Sequence, residues 1–198
     1  MIALFNSLKN NPNSFIRMKK YLLIILVSCI SLQGMSQTKE KQGQYGFSIN
    51  SAINGEVYPI RIIPSFTYSR GLSQVEVGVG FHPLFQTSQQ LLSGDLNYKF
   101  FPNGRNNTFN LYLLGNFSFL NNKRKTYYPT VYNYLFLNAG YGFDISIKKG
   151  AYMGTNMSIG TFTFRKQSEV PYESFKTEKM FDSFGFNLAF QFHVGYRF

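Results

Sequence analysis

The side chains best suited to chemistry in this sequence are a histidine, a serine and an aspartate. His82 lies near the end of one predicted strand, and Ser93 and Asp95 lie on the same face of the next. Nucleophilic hydrolysis needs a hydroxyl, a base within hydrogen-bond reach and a third group that orients the base. Strand adjacency alone supports that grouping here, and ordinary hydrogen bonding explains the same residues. We therefore expect no catalytic activity.

Metal and thiol chemistry have less support. Of the two histidines, His193 is distant in sequence from His82, and neither lies beside a cysteine or a carboxylate cluster. Isolated histidines of this kind make no recognisable metal site. Cys29 is the one cysteine, and it lies in a segment that we expect to be removed, which would leave no thiol. The sequence predicts neither a metal nor a cofactor.

Six charged residues occupy one face of the predicted strands, together with many Gly, Ser and Asn residues. Three are basic and three acidic: Arg61, Lys99, Arg197, Glu76, Asp95 and Asp144. Unpaired charges in a narrow interior are costly, whereas paired and hydrogen-bonded charges can be held there. We expect these residues to form an interior charge network. An ion-conducting or gated interior is the alternative.

Two connections combine cations with aromatic rings. One contains Lys123, Arg124, Lys125, Tyr127 and Tyr128, and the other begins at Arg165 and Lys166. Cations beside aromatic rings suit contacts with phosphate groups or sugars. These residues are candidate surface contacts, either with anionic lipid or with an unknown protein or glycan partner.

The elements that would position these side chains are strands, of which the last is the clearest. From Phe186 to Phe198 every second residue is apolar and mostly large. A side-chain period of two is that of a β-strand. A half-buried strand of a soluble protein rarely continues this pattern for so long, whereas a strand that crosses a bilayer needs about 9–11 residues. The pattern indicates a membrane-crossing strand.

Similar alternation elsewhere predicts eight strands, over 45–53, 59–69, 74–82, 92–100, 108–120, 132–147, 151–164 and 184–198. Pro64 has no N–H for a sheet ladder, so we expect a bulge there. In the seventh strand, Phe162 and Phe164 have the opposite parity to Met157. This mismatch predicts a second bulge near Gly160.

The connections between the predicted strands alternate in length, except that the first is short where the alternation would make it long. The second, fourth and sixth are tight, whereas the third, fifth and seventh are longer: 83–90, 121–130 and 165–179. Outer-membrane barrels have short periplasmic turns and longer external loops, and an even strand number leaves both termini on the periplasmic side. The sequence thus predicts an all-β fold, an eight-stranded antiparallel transmembrane β-barrel with up-and-down meander topology and both termini periplasmic.

Alternation alone does not say which face points outward, because a lipocalin-like soluble barrel would place the apolar set inside. The interior of an eight-stranded barrel is just wide enough for side chains to fill it. The polar set is rich in small residues, whereas the last strand alone has seven apolar residues on its other face. We therefore predict that the apolar face contacts lipid.

The N-terminal residues have the pattern of a secretory signal peptide. Met18-Lys19-Lys20 precedes an apolar run over 21–27, and Gly34 and Ser36 are small residues before a cleavage site at Gln37. We assign 1–36 to the signal peptide (with Met18 as an alternative start), 37–44 to a short periplasmic lead and 45–198 to the barrel. Cys29 ends a lipobox-like stretch, so lipidation is the alternative.

The chain has a net charge of +11, and removal of Lys9, Arg17, Lys19 and Lys20 leaves 16 basic and 9 acidic residues. A basic surplus can indicate nucleic-acid binding. On an exported chain it instead favours contact with outer-membrane lipid and lipopolysaccharide phosphates. We expect no nucleic-acid partner.

The alternation, the strand number, the loop lengths and the terminal Tyr196-x-Phe198 together resemble the small OmpA/OmpX-type outer-membrane barrels of Gram-negative bacteria. In that family the final strand is read by the barrel-assembly machinery, which implies that Tyr196 and Phe198 form an assembly signature. The resemblance implies an integral outer-membrane protein with a role in envelope structure or surface interaction, although function varies widely on one fold. A lipid A-modifying enzyme and a narrow pore are the alternatives, but Ser93-Gly94-Asp95 is not a motif of the small-barrel lipid A enzymes.

Overall fold

A computed structural model describes residues 43–56, 60–83, 89–125, 129–147, 150–168 and 177–198. The predicted signal peptide, residues 37–42 of the predicted periplasmic lead, Tyr127 and Tyr128 lie outside these residues, so their assignments stay predictions. Among the residues described, no helix is long and apolar enough to cross a membrane.

The described chain is built from eight strands. They are β1 (Gln44–Asn54), β2 (Arg61–Arg70), β3 (Ser73–Phe81), β4 (Gln89–Phe100), β5 (Phe109–Arg124), β6 (Thr130–Ser146), β7 (Ala151–Ser168) and β8 (Phe184–Arg197). The predicted strand number is confirmed. β5 and β7 continue past their predicted ends, so Lys123, Arg124, Arg165 and Lys166 lie in strands and not in loops as predicted. The outward side chains of β5 and β7 change from apolar to polar at these positions, but the backbone of both strands continues to pair with β6.

Each strand pairs antiparallel with its sequence neighbours, and β8 pairs with β1, which closes the barrel. Paired residues followed from Gln44 through all eight strands return to β1 at Asn54, ten residues further along. Such a displacement means that the strands tilt steeply against the barrel axis, as closure of a small barrel requires. Closure also leaves no unpaired sheet edge along the paired ladder.

Three connections lie at one end of the barrel, here called the turn end, and they span 71–72, 101–108 and 147–150. Gly71, Gly104 and Gly150 lie in the β2–β3, β4–β5 and β6–β7 connections, with φ values of 57°, 78° and 88°. This left-handed backbone is accessible to glycine without the strain that a Cβ would add. The opposite end, here called the loop end, carries the β1–β2, β3–β4, β5–β6 and β7–β8 connections, which span 55–60, 82–88, 125–129 and 169–183. The predicted alternation of lengths is wrong for β4–β5, which is longer than β3–β4 and β5–β6. The β5–β6 connection is short because β5 continues to Arg124.

The two faces of the barrel wall differ in composition. Large apolar side chains such as Phe47, Leu113 and Leu137 are exposed on the outside, at 60%, 57% and 64%. The inward residues include Ser, Thr and Asn side chains and the charged residues, nearly all of them buried. The prediction that the apolar set faces outward is confirmed.

Both predicted bulges are wrong. Pro64 pairs with Ile49 of β1, and the β2–β3 register is the same before and after it, from Ile62–Phe81 to Ser65–Gly78. Because Pro64 has no N–H, the pairing of β2 with β3 is interrupted locally, and no extra residue is inserted.

Near Gly160, β7 keeps one register with both of its neighbours. Phe162 therefore faces the interior, where it is buried against other aromatic rings. Phe162 has the opposite parity because aromatic side chains fill this part of the barrel interior. β7 itself has no extra residue.

Candidate functional sites in the barrel interior and at its rim

The first interior charge pair lies toward the loop end. Arg61 Nη1 is 3.3 Å from Asp95 Oδ1 and also donates to Ser118 Oγ at 3.3 Å, while Nη2 donates to Asn54 Oδ1 at 3.0 Å. Both charged side chains are almost completely buried. The guanidinium thus has a carboxylate and two neutral acceptors, which is the environment that a buried cation needs.

The second pair lies toward the turn end. Lys99 Nζ is 2.9 Å from Glu76 Oε1, and both side chains are buried. Glu76 also accepts hydrogen bonds from Gln74 Nε2 at 2.7 Å and Asn97 Nδ2 at 3.4 Å. Lys99 Nζ lies 4.8 Å from the centre of the Tyr112 ring, a cation–π contact on its other side.

The third group is centred on Asp144. One carboxylate oxygen accepts from His193 Nε2 at 2.8 Å and the other from Arg197 Nη2 at 2.6 Å. The Arg197 guanidinium stacks 3.9 Å from the centre of the Tyr152 ring, and Lys99 Nζ lies 3.4 Å from His193 Nε2. The structure therefore brings together all six residues of the predicted charge network, in three pairs, and adds His193.

A chain of asparagines crosses the interior, and the sequence analysis missed it. Asn187 Nδ2 donates to Asn138 Oδ1, Asn138 to Asn116 and Asn116 to Asn97, at 3.0, 3.0 and 2.7 Å. Asn97 in turn donates to Glu76 at 3.4 Å. Each of these residues is at an inward position of its strand, and Gly160 pairs with both Asn138 and Asn187. The sequence pattern indicates that these asparagines point inward. That they lie at the same height in the barrel depends on the strand register.

Apolar side chains fill the interior near both ends. At the loop end, one cluster is formed by Leu91, Leu120, Tyr134, Phe136 and Phe162. At the turn end, Phe101, Tyr112 and Leu114 form another. Arg105 in the β4–β5 turn packs near this cluster, 6.0 Å from the centre of the Phe101 ring, and donates to the Gly71 carbonyl at 3.3 Å. Burial lowers the pKa of Arg105 to about 10.

The predicted histidine, serine and aspartate grouping has other partners. Ser93 Oγ donates to Asp95 Oδ2 at 2.6 Å, and His82 Nδ1 lies 3.0 Å from the Ile60 carbonyl oxygen. The serine hydroxyl is thus directed to a carboxylate that also binds Arg61, and not to an imidazole base. The described part of the chain holds no group of three or more metal-ligating side chains.

The basic residues of the loop end divide between the two faces. Lys123 and Arg165 continue the outward alternation of β5 and β7 and are exposed. Arg124 points to the barrel mouth, with its guanidinium 5.0 Å from the centre of the Tyr132 ring. Lys166 pairs through its backbone with Glu178, at 3.1 Å in both directions, and Lys125 is exposed just beyond β5.

A solved structure shows the same architecture. The chain resembles the N-terminal β-barrel domain of Pseudomonas aeruginosa OprF, with a TM-score of 0.52 and 11% identity over 81% of this chain and 100% of that one. The fold is that of a small outer-membrane β-barrel. Neisserial surface protein A matches with a TM-score of 0.48 and 9% identity, over 79% of this chain and 96% of that one. A major outer membrane protein from Thermus thermophilus matches with a TM-score of 0.49 and 12% identity, over 80% of this chain and 100% of that one. No protein-family model and no curated protein sequence matches the chain.

In this outer-membrane barrel fold, Tyr196 and Phe198 lie at the turn end of β8, on the outer face. Their side chains are 49% and 64% exposed, and their rings stack with centroids 6.4 Å apart. Phe198 N donates to the Tyr45 carbonyl at 3.0 Å, so the end of the chain closes the barrel against β1.

Proposed function

We propose that this chain is an integral outer-membrane protein with a closed, polar interior, acting in envelope structure or surface interaction through its loop end. The observation that carries the proposal is the inverted barrel wall, with large apolar side chains exposed outside and paired charges buried inside. Water would not favour that outer surface, whereas the hydrocarbon of a bilayer does.

We infer the orientation of the barrel from its longest connection, β7–β8. Longer connections are external in outer-membrane barrels. The β7–β8 connection (169–183) at the loop end is longer than any connection at the turn end, which supports an external loop end with the turn end and both termini in the periplasm. The predicted signal peptide is the export signal in this proposal, and Tyr196 and Phe198 are the residues presented to the barrel-assembly machinery.

Measurements of ion conductance test whether the barrel interior is plugged, as proposed. Large side chains, among them Arg61, Lys99, Tyr112 and Phe136, are buried inside the barrel. We expect the purified chain to give no steady ion conductance in planar bilayers. A reproducible single-channel current that changes with Arg61→Gln would instead favour the narrow pore.

The proposed surface role is tested by photocrosslinking on intact cells. A reactive residue at Tyr128 is compared with a matched one at Asn106, in the β4–β5 turn at the other end. A discrete protein band or a lipopolysaccharide ladder at Tyr128 alone supports a surface role for the loop end. Absence of any adduct at Tyr128 in a correctly inserted barrel would favour a purely structural role.

We propose that the protein is not an enzyme, since Ser93 is hydrogen-bonded to Asp95 and His82 to a backbone carbonyl. The lipid A-modifying alternative predicts a change in lipid A mass when the gene is expressed. Identical lipid A mass spectra with and without the protein would count against that alternative.

A further inference from the structure

Positive charge at the loop end is concentrated on one side of the barrel. Among the described residues of β5–β8 there (121–125, 129–133, 163–168 and 177–184), the basic residues are Lys123, Arg124, Lys125, Arg165, Lys166 and Lys179, and the acidic ones are Glu178 and Asp182. The intervening 169–176 add two Glu and one Lys by sequence. On the β1–β4 side, the described residues 52–56, 60–63, 79–83 and 89–93 hold Glu56 and the buried Arg61. The electrostatic field at the loop end is therefore more positive on the β5–β8 side than on the β1–β4 side.

Two of these cations point outward, immediately beyond the apolar belt. Arg165 is paired in register with Asn133, and Asn133 with Asn121, whose Nδ2 donates to Asn133 Oδ1 at 2.6 Å. Lys123 lies two residues further along the same face of β5. Two amides thus lie between two exposed cations, at the level where the outward face changes from apolar to polar.

Three exposed aromatic rings lie on the β7–β8 side of this patch, where Phe184 is paired with Thr163, two residues before Arg165 on the same face of β7. Phe184 and Phe186 are outward residues at the start of β8, 69% and 68% exposed. Phe181, 61% exposed, has a φ of 75°, a region that a bulky residue rarely adopts. Its N–H donates to Thr163 Oγ1 at 2.9 Å, and its ring lies 6.2 Å from that of Phe184. A strained backbone held by a hydrogen bond thus keeps this ring at the surface.

We propose that this rim patch, consisting of Asn121, Lys123, Asn133, Arg165, Phe181, Phe184 and Phe186, binds a phosphorylated glycolipid of the outer leaflet. The cations and amides contact the phosphate-bearing headgroup, and the rings contact its acyl chains. The inference rests on the proposed function, since it needs the loop end at the outer surface of a membrane.

Charge and position select this occupant. A phosphate offers acceptors that Lys and Arg bind with charge-assisted hydrogen bonds, and basic residues at a membrane surface attract anionic lipid. The rings continue the lipid-facing belt, so an occupant that satisfies both must carry phosphate and hydrocarbon together. A second copy of the chain would bring a patch of the same sign, and like charges oppose that contact.

Lipid retention tests the proposal. The full chain is reconstituted in phosphatidylcholine nanodiscs with a fixed fraction of diphosphoryl lipid A, and retained lipid A is counted by native mass spectrometry. Lys123→Gln and Arg165→Gln should each lower retention about fivefold. Arg70→Gln, an exposed cation at the turn end, is the matched control and should leave retention unchanged. Phe184→Ser should lower lipid A retention without changing the circular dichroism spectrum.

Several results would overturn the proposal. Equal retention of diphosphoryl and dephosphorylated lipid A would do so, as would equal losses with Arg70→Gln and Arg165→Gln. Complete competition by inorganic phosphate would indicate a site for the free ion, and retention of a second protein copy in place of lipid would indicate a dimer surface. Insertion is scored separately by membrane fractionation, so a barrel that inserts but does not select lipid A contradicts this inference alone.

Discussion

At the scale of single residues, the interior is a set of polar side chains that satisfy one another. Lys99 and Glu76 are separated by 2.9 Å and are both buried, so neither can be solvated by bulk water. Removing one member of such a pair leaves an uncompensated charge, whereas removing both leaves only a gap to fill. The two changes should therefore differ strongly in their effect on stability.

We expect Glu76→Gln to lower the free energy of unfolding by about 3–5 kcal/mol, because Lys99 would stay charged without its carboxylate. The double variant Glu76→Leu/Lys99→Leu should lose much less. Urea unfolding of the chain refolded in phospholipid vesicles measures both. Equal losses in the single and double variants would show that the ion pair is not what stabilises this level of the barrel.

Asn138 is the centre of the asparagine chain, accepting from Asn187 and donating to Asn116, each at 3.0 Å. Asn138→Ala leaves a buried donor and a buried acceptor without that partner, and each such group costs about 1–3 kcal/mol. Asn106→Ala, at an exposed turn position, should be neutral in the same urea titration. If the two variants unfold alike, the chain of amides contributes nothing to stability.

The identity of the interior residues was predictable from strand parity, but their partners were not. Asp144 and Arg197 are 53 residues apart, and their contact depends on barrel closure and on the registers of β6, β7 and β8. The bulge predicted near Gly160 would turn Phe162 to the lipid-facing side, whereas the continuous register of β7 keeps it in the interior. The cluster around Phe136 instead gives that end of the barrel an apolar interior.

At the scale of elements, close approach between strands restricts which residues can stand in the wall. A Cβ added at Gly140 would overlap the Met157 carbonyl oxygen and lie 2.6 Å from Ser158 Cα, both backbone atoms of β7. A Cβ added at Gly115, on the outer face of β5, would have no neighbour within 4 Å. Gly140 therefore has no room for a Cβ beside β7, whereas Gly115 has room for one.

We expect Gly140→Ala to lower the free energy of unfolding by about 1–3 kcal/mol through overpacking. Gly115→Ala should be neutral or stabilise by about 0.4–1 kcal/mol, because it restricts the unfolded chain. Thermal unfolding in detergent, followed by circular dichroism, ranks the two. The opposite ranking would mean that the β6–β7 spacing is wider than described.

The outer face of β5 provides a test of the lipid-facing belt. Leu113 is 57% exposed near the middle of the apolar stretch of this face (109–119), and Phe109 is 52% exposed at its turn end. Leu113→Arg should cost about 2–4 kcal/mol in vesicles, and Phe109→Arg about 0–1 kcal/mol for the charge itself, because the penalty falls toward the interface. A soluble barrel would show no such dependence on depth.

Element positions were largely predictable, because side-chain alternation reports strand geometry directly. The ends of β5 and β7 were not, since alternation of apolar residues stops at the membrane surface while the backbone ladder continues to Arg124 and Ser168. At Pro64 the error is the opposite one, because the sequence predicts an irregularity that the strand does not have. A missing N–H requires that one hydrogen bond be absent, but it does not require an extra residue.

For the molecule as a whole, we propose that the barrel spans the outer membrane with its loop end outside. The most direct measurement is labelling of single cysteines on intact cells with a membrane-impermeant maleimide. The only natural cysteine is Cys29, in the predicted signal peptide. Lys125→Cys, beyond β5, is paired with Asn103→Cys, in the β4–β5 turn, and both positions are exposed.

We predict that Lys125→Cys is labelled on intact cells, and that Asn103→Cys is labelled only after the outer membrane is permeabilised. Labelling of Asn103→Cys on intact cells, or protection of Lys125→Cys in a chain that fractionates with the outer membrane, would contradict this orientation of the barrel.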